Sequence, residues 1–304
     1  MSSEAITSGV GSGVAVESGK SASPTRQILE RTFRQKSAVL GLAILIIIII
    51  IEIFGYRLAP YPISHIDLSG KTPYDSSPSF SHPLGTDDFG RDILSRLMVG
   101  GRISLVVGFV AAFATLVVGT IVGSVSGFVG GFVDTVLMMI TNWFLAFPFL
   151  LLALAIVAVR GPGLQTVIMA LVISGWAYTA RLLRGQILSV RETEYVEAAR
   201  ASGAGPIRIL LKHVLPNSMA PVLVVTTLSV GGSIAGEAAL SFLGVGIPST
   251  EAISWGNMVG DGQQAFTYNP VEVLAPSAAI AITLISVTLF GNALRDAADP
   301  KLKD

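Results

Sequence analysis

RETEYVEAARASGAGPIRILLKHVLP, running from Arg191 to Pro216, is a polar, basic interruption between two strongly apolar stretches. It reads as a helix, a break and a second helix. From Tyr195 to Ser202 the residues are mostly good helix formers, and Glu197 is placed to reach Arg200 one turn later. Gly203 offers a C-cap. Pro206 suits the first turn of a new helix, in which Ile207, Leu210, Leu211, Val214 and Leu215 fall at helical spacing with Arg208 and Lys212 on another face. Ala198, Ala199 and Ala201 let a second surface come close, while Glu197 and Arg200 supply directed polar contacts, so the first helix suits docking into a groove. A solvated connector between two spans would have the same composition.

The flanking stretches set the class. Half of the 304 residues are hydrophobic (51%) and only 13% are charged, with the apolar residues gathered in long runs that require a membrane. The expected fold is therefore all-α, a polytopic membrane protein with about six transmembrane helices. Formal charge is zero, which leaves no basic excess for nucleic acid, and the absence of cysteine excludes disulfides, thiolate metal sites and thiol nucleophiles.

In chain order, residues 1–37 read as a cytoplasmic N-terminal tail with no apolar core of the kind a cleavable signal needs. Arg26, Arg31, Arg34 and Lys36 precede the first transmembrane helix, 38–55, and place the N-terminus in the cytoplasm. Glu52 lies near the far end of that span, where a carboxylate reaches headgroups more readily than it serves a proton relay. Residues 56–101 form an extracytoplasmic segment. Thr86 or Asp87 would cap an interfacial helix there, with Ile93, Leu94, Leu97 and Met98 as its apolar stripe. Asp87, Asp88 and Asp92 have the composition of a cation site, but capping beside Arg91 and Arg96 explains them more simply, so no metal is expected.

Residues 102–294 form the core, with five transmembrane helices. Gly119, Gly123 and Gly127 repeat every four residues in the first of these and permit close backbone approach. Asp134 opens the next, where it reads as an N-terminal helix charge; Pro148 breaks that span beside Trp143, Phe144, Phe147 and Phe149. Trp143 and Phe147 are candidates for lining a translocation path, with ordinary packing the alternative. Glu237 is the most deeply placed acid, open to two readings: a hydrogen bond across helices or contact with a polar substrate. The loop from Gly246 to Pro276 has three acids and no Lys or Arg, which marks the outside. Residues 295–304 form a short cytoplasmic tail.

Glu197-Ala198-Ala199, Gly203 and Leu215-Pro216 together resemble the EAA signature of the membrane-spanning permease subunits of prokaryotic ABC importers. His213 stands where that signature usually has isoleucine, and His213-Val214-Leu215-Pro216-Asn217 is similar to the dipeptide, oligopeptide and nickel branch. HPLGTDDFGRD (82–92), EAALSFLGVG (237–246) and Ser254-Trp255-Gly256 are similar to the same branch, and the resemblance extends from about Thr32 to the C-terminus. It implies that 191–216 is the coupling loop, whose first helix sits in a cleft of a cytoplasmic ATP-hydrolysing subunit. Tyr195, Glu197, Ala198, Ala199, Arg200, Gly203, Leu215 and Pro216 are the implied coupling residues. The implied assembly has a second homologous permease, two ATP-binding subunits and an extracytoplasmic solute-binding protein in a prokaryotic cell membrane. Its solutes would be di- or oligopeptides, or a similar solute such as a nickel complex.

No G-x-x-x-x-G-K-[ST] occurs, so ATP and Mg²⁺ belong to partner subunits and this chain is expected to bind no cofactor and catalyse nothing. An intramembrane protease would need a base at the depth of Ser174, yet His65, His82 and His213 all fall in loops. An ion-coupled secondary transporter would place ionisable groups or broken helices at midplane, which only Glu237 and the Pro148 kink approach, and it has no use for a docking helix.

Overall fold

The computed structural model describes residues 30–63 and 78–298. The expectations for most of the N-terminal tail, for 64–77 and for 299–304 lie outside the described residues. Ten helices organise the description: α1 (Lys36–Leu58), α2 (Ile93–Val129), α3 (Gly131–Ala146), α4 (Phe149–Arg160), α5 (Leu164–Val190), α6 (Glu194–Ala201), α7 (Pro206–Ile209), α8 (Leu215–Phe242), α9 (Trp255–Asp261) and α10 (Val271–Ala298). A single π turn, Leu210–Val214, joins α7 to α8. Among the described residues the only β pairing is one isolated bridge, Thr86 to Asp92.

Five helical stretches are long and apolar enough to cross a membrane, and α3 with α4, bent by 92° at Phe147-Pro148, brings the number to as many as six. The bend follows from proline, which disfavours helical geometry in the residue before it; Phe147 is accordingly extended. Connections alternate between two ends. At one end Glu251 Oε1 accepts the Leu164 amide (3.3 Å), Asn269 Nδ2 donates to the Thr86 carbonyl (3.0 Å) and Tyr268 Oη donates to Asp88 (3.1 Å), gathering 78–92, 161–163 and 244–270. At the other, Arg191 donates to the Gly127 carbonyl (3.0 Å) and Arg184 pairs with Asp134 (2.5 Å), gathering the α2–α3 turn with the α5–α6 loop.

The broadest packing is between α2 and α5, along the glycine row. A β-carbon at Gly119 would stand 2.6 Å from Thr179 Cβ, one at Gly123 2.6 Å from the Ala180 carbonyl and one at Gly127 3.0 Å from Ile187 Cβ. In a bilayer, where burial of apolar surface drives helices together only weakly, such close backbone contact is what dispersion requires. Gly41 plays the same part for α1 against α10, where a β-carbon would stand 2.6 Å from the Ser286 carbonyl.

Three features differ from the sequence expectation. Ile93 to Met98 is not a separate interfacial piece; it is the start of the unbroken 37-residue α2, and its cap is Asp92, which accepts the Ser95 amide (2.7 Å), rather than Thr86 or Asp87. The helix that starts at Pro206 does not stop at Pro216 but runs on into the next span. Pro216 lacks the amide that Lys212 would bond and its ring would strike that carbonyl, so the helix widens by one residue and continues, with the Leu215 amide bonding Leu210. Glu52 turns inward, 4% exposed, against Gly101 and the amides of Gly101 and Arg102, because α1 crosses α2 closely at Gly55.

Candidate functional site

The short helix α6 is fastened by one side chain. Val196, fully buried, joins Leu183, Ile187, Ile209, Val214 and Val222 in a cluster that binds the helix to the ends of α5 and α8. The rest of α6 faces outward: Tyr195, Glu197, Ala198 and Arg200 are exposed and Ala199 is half-buried. Its C-terminus is a full Schellman turn, in which the Ala204 amide bonds the Ala199 carbonyl (3.1 Å) and the Gly203 amide bonds the Arg200 carbonyl (3.0 Å). Gly203 has φ +81°, the left-handed region that side chains resist, while nothing crowds it within 4 Å. Glycine is therefore needed here for its backbone and not for space.

Glu197 and Arg200 do not form the expected ion pair; the salt bridges among the described residues fall elsewhere. Both instead line a hollow of about 580 Å³ with Phe128, Arg191, Glu192 and Pro206. Two acids and two bases, only loosely paired (Arg191 to Glu192, 3.9 Å), thus face a concavity beside an exposed helix. Leu215 and Pro216 lie apart from this surface. Leu215 packs on the cluster around Val196, and Pro216 sits at the π turn that sets the path of α8.

Behind this surface the α2–α3 turn is held by charge. Asp134 accepts Arg184 Nε (2.5 Å) and Nη2 (2.6 Å) and also the Ser126 hydroxyl, and Arg181 bonds Asn142. A bidentate pair of this kind fixes orientation as well as distance. Asp134 does lie in the first turn of α3, so its helix-end reading and the ion pair coexist.

At the opposite end, Glu237 is fully buried and accepts three hydroxyls: Ser254 (2.7 Å) and Ser241 (2.9 Å) on Oε1 and Ser104 (3.1 Å) on Oε2. Ser104 in turn accepts the Trp255 amide (3.1 Å), and Ser254 accepts the Asn257 amide (3.1 Å) in a capping box that starts α9. The Trp255 indole donates to the Leu97 carbonyl (3.0 Å). One carboxyl thus ties α8, α2 and α9 together. Trp143 and Phe147 are not brought to it; both are more than 60% exposed on α3 and at the bend. Sequence reasoning did not connect Ser104, Ser241 or Ser254 with Glu237. Only the four-residue spacing from Glu237 to Ser241 was a usable signal, since the other two contacts span more than a hundred residues or a loop.

The acids of 82–92 are taken up by protein partners, Asp88 by Tyr268 among them. Asp92 also holds His82 (2.9 Å), and Asp87 holds Arg91 (2.7 Å) and Arg96 (3.5 Å). No group of three His, Asp or Glu side chains arranged for a metal occurs among the described residues.

Residues 99–304 match the family described as binding-protein-dependent transport system inner membrane component, and residues 23–78 match the N-terminal transmembrane domain of oligopeptide transport permease C. The chain is 42% identical to the oligopeptide transport system permease protein OppC of Bacillus subtilis, over 94% of this chain and 92% of that one. It is 39% identical to the dipeptide transport system permease protein DppC of Alkalihalophilus pseudofirmus (92% and 91%) and 40% identical to the glutathione transport system permease protein GsiD of Shigella flexneri (92% and 91%). Among solved structures, a chain of the MetNI methionine ABC transporter in an inward-facing conformation shares the fold, with TM-score 0.53 and 22% identity over 64% of this chain and 93% of that chain.

Proposed function

Because the chain belongs to the binding-protein-dependent transport system inner membrane components, and is a multi-pass permease subunit of an ABC importer, we propose that it carries peptides or a similarly handled solute and is driven through α6. The three relatives named above handle oligopeptides, dipeptides and glutathione, all of them peptides, which supports the solute class. The proposed assembly adds a second homologous permease, two ATP-binding subunits that hold ATP and Mg²⁺, and an extracytoplasmic solute-binding protein. The membrane is a prokaryotic plasma membrane with both termini inside, an orientation supported by Arg31, Arg34 and Lys36 before α1 and by Arg181, Arg184, Arg191 and Arg200 around α6.

The observation that carries the coupling role is the geometry of α6: one anchoring side chain, an outward face of two alanines flanked by Glu197 and Arg200, and a rigid turn at Gly203. Closure of the ATP-binding pair would draw such helices together. α7, the π turn and α8 would pass the displacement into the membrane as one continuous rod. ATP moves the equilibrium between inward- and outward-open forms only through a difference in docking energy between them. The test is Ala198→Trp in the reconstituted importer. Solute uptake and solute-stimulated ATP hydrolysis should both be lost while the permease still reaches the membrane and unfolds at the wild-type temperature. Uptake at the wild-type rate would refute the docking role.

A further inference from the structure

The helix that leaves the coupling loop, Pro206–Phe242, is a single rod of 37 residues. Glu237 lies 31 residues along it, about 47 Å from its start. The clamp described above grips this far end. On the reading that α6 is the driven element, the rod is a lever with its input at Gly203-Pro206 and its output at Glu237. A tilt of about 5° would displace the two ends relative to one another by about 4 Å, enough to break hydrogen bonds at an end whose partners stayed still. The outer cross-piece, 244–270, must therefore either ride with the rod or be torn from it.

The chemistry of the clamp favours riding. Ser104 and Ser254 each receive a backbone amide, from Trp255 and Asn257, and each directs its own hydrogen at Glu237. Three converging hydroxyl donors call for a group that accepts on two oxygens, which a carboxyl supplies and a carboxamide does not. α9 approaches the carboxyl closely: a β-carbon on Gly256 would stand 2.8 Å from Glu237 Oε1. The cross-piece is seated on α2 and its leading loop at further points, with Arg96 reaching Asp261 (3.7 Å) and Tyr268 reaching Asp88 (3.1 Å). Breaking the clamp would leave several buried polar groups unpaired at once.

We propose that Glu237 is a positioning residue for transport: it locks the outer cross-piece to α2 and α8, so that these three move as one body when the coupling helix is displaced. The inference rests on the coupling role proposed for α6.

The test uses the assembled importer in proteoliposomes. Glu237→Gln should lower solute uptake by about tenfold while ATP hydrolysis stays within about twofold of wild type and ceases to respond to the solute-loaded binding protein. A purely structural residue would lower uptake and hydrolysis together, in proportion to the folded protein recovered. The chain has no cysteine, so Tyr268→Cys with Asp88→Cys gives a unique pair for a short thiol bridge across cross-piece and α2 loop. The bridged chain with Glu237 intact should transport normally, and the bridge should restore coupling to Glu237→Gln. Loss of transport on bridging, no restoration, or coupled transport by Glu237→Gln overturns the inference. If Glu237→Gln fails to fold, the bridged chain with Glu237 intact decides alone. An unmodified importer that takes up no solute on adding ATP would instead sink the coupling reading beneath it.

Discussion

Substituting Gly203 separates backbone geometry from crowding, because no atom lies within 4 Å of where its β-carbon would be. At φ +81° an ordinary side chain costs about 1–2 kcal/mol. The alternative is to abandon the turn and give up the Gly203 and Ala204 amide bonds, at about 0.5–1.5 kcal/mol each, so the penalty is of the same size either way. Converted to populations, this lowers the docking-ready form of α6 by about 5- to 30-fold. Gly203→Val should sit at the high end, since β-branched residues resist the left-handed region most, and Gly203→Asn should cost only a few tenths of a kcal/mol. Gly205, two residues on, has φ −68° and ψ 156°, which any residue adopts, so Gly205→Val is the matched control. The assay is the affinity of the purified ATP-binding subunits for the permease pair in nanodiscs, with uptake measured in parallel. Gly203→Val should weaken binding by about 5- to 30-fold, with Gly203→Asn and Gly205→Val within about twofold of wild type. Equal loss from Gly203→Val and Gly205→Val, or full binding by Gly203→Val, would refute the argument from the turn.

Gly123→Leu should destabilise the bundle by about 3 kcal/mol or more, since the obstacle at 2.6 Å is the Ala180 carbonyl, which cannot rotate away; thermal unfolding in detergent measures it. Asp92→Ala removes the α2 cap along with the partner of His82 and should lower the unfolding temperature by about 2–8 °C, whereas Asp88→Ala, which loses one exposed contact, should shift it little. For Asp134 and Arg184, partly exposed yet bidentate, a double-mutant cycle read from unfolding in detergent should give a coupling of about 1–2 kcal/mol, with the exchange Asp134→Arg/Arg184→Asp recovering part of it.

What the linear chain revealed is what local physics decides. Long apolar runs dictated spanning helices, Pro148 its break, Gly203 and Pro206 the boundary between two helices, and glycines four apart a tight helical contact. Each depends on residues within a few turns of one another. The surface proposed for coupling lies on one short helix, so its exposed face is written in consecutive residues. What stayed hidden involves partners distant in sequence. Glu52 looked like a headgroup contact because its depth was readable and its direction was not; the crossing of α1 with α2 at Gly55 turned it inward. Glu197 and Arg200 have helical pairing distance, but the concavity formed with Phe128 and Arg191 offers them other directions. The fate of Glu237 depended on Ser104, from a helix more than a hundred residues earlier, and on Ser254, carried back by a loop. A carboxyl in an apolar helix announces that it needs donors. Only the packing of α2, α8 and α9 decides which donors arrive, because their approach is set by close contacts between whole helices and not by any spacing within one.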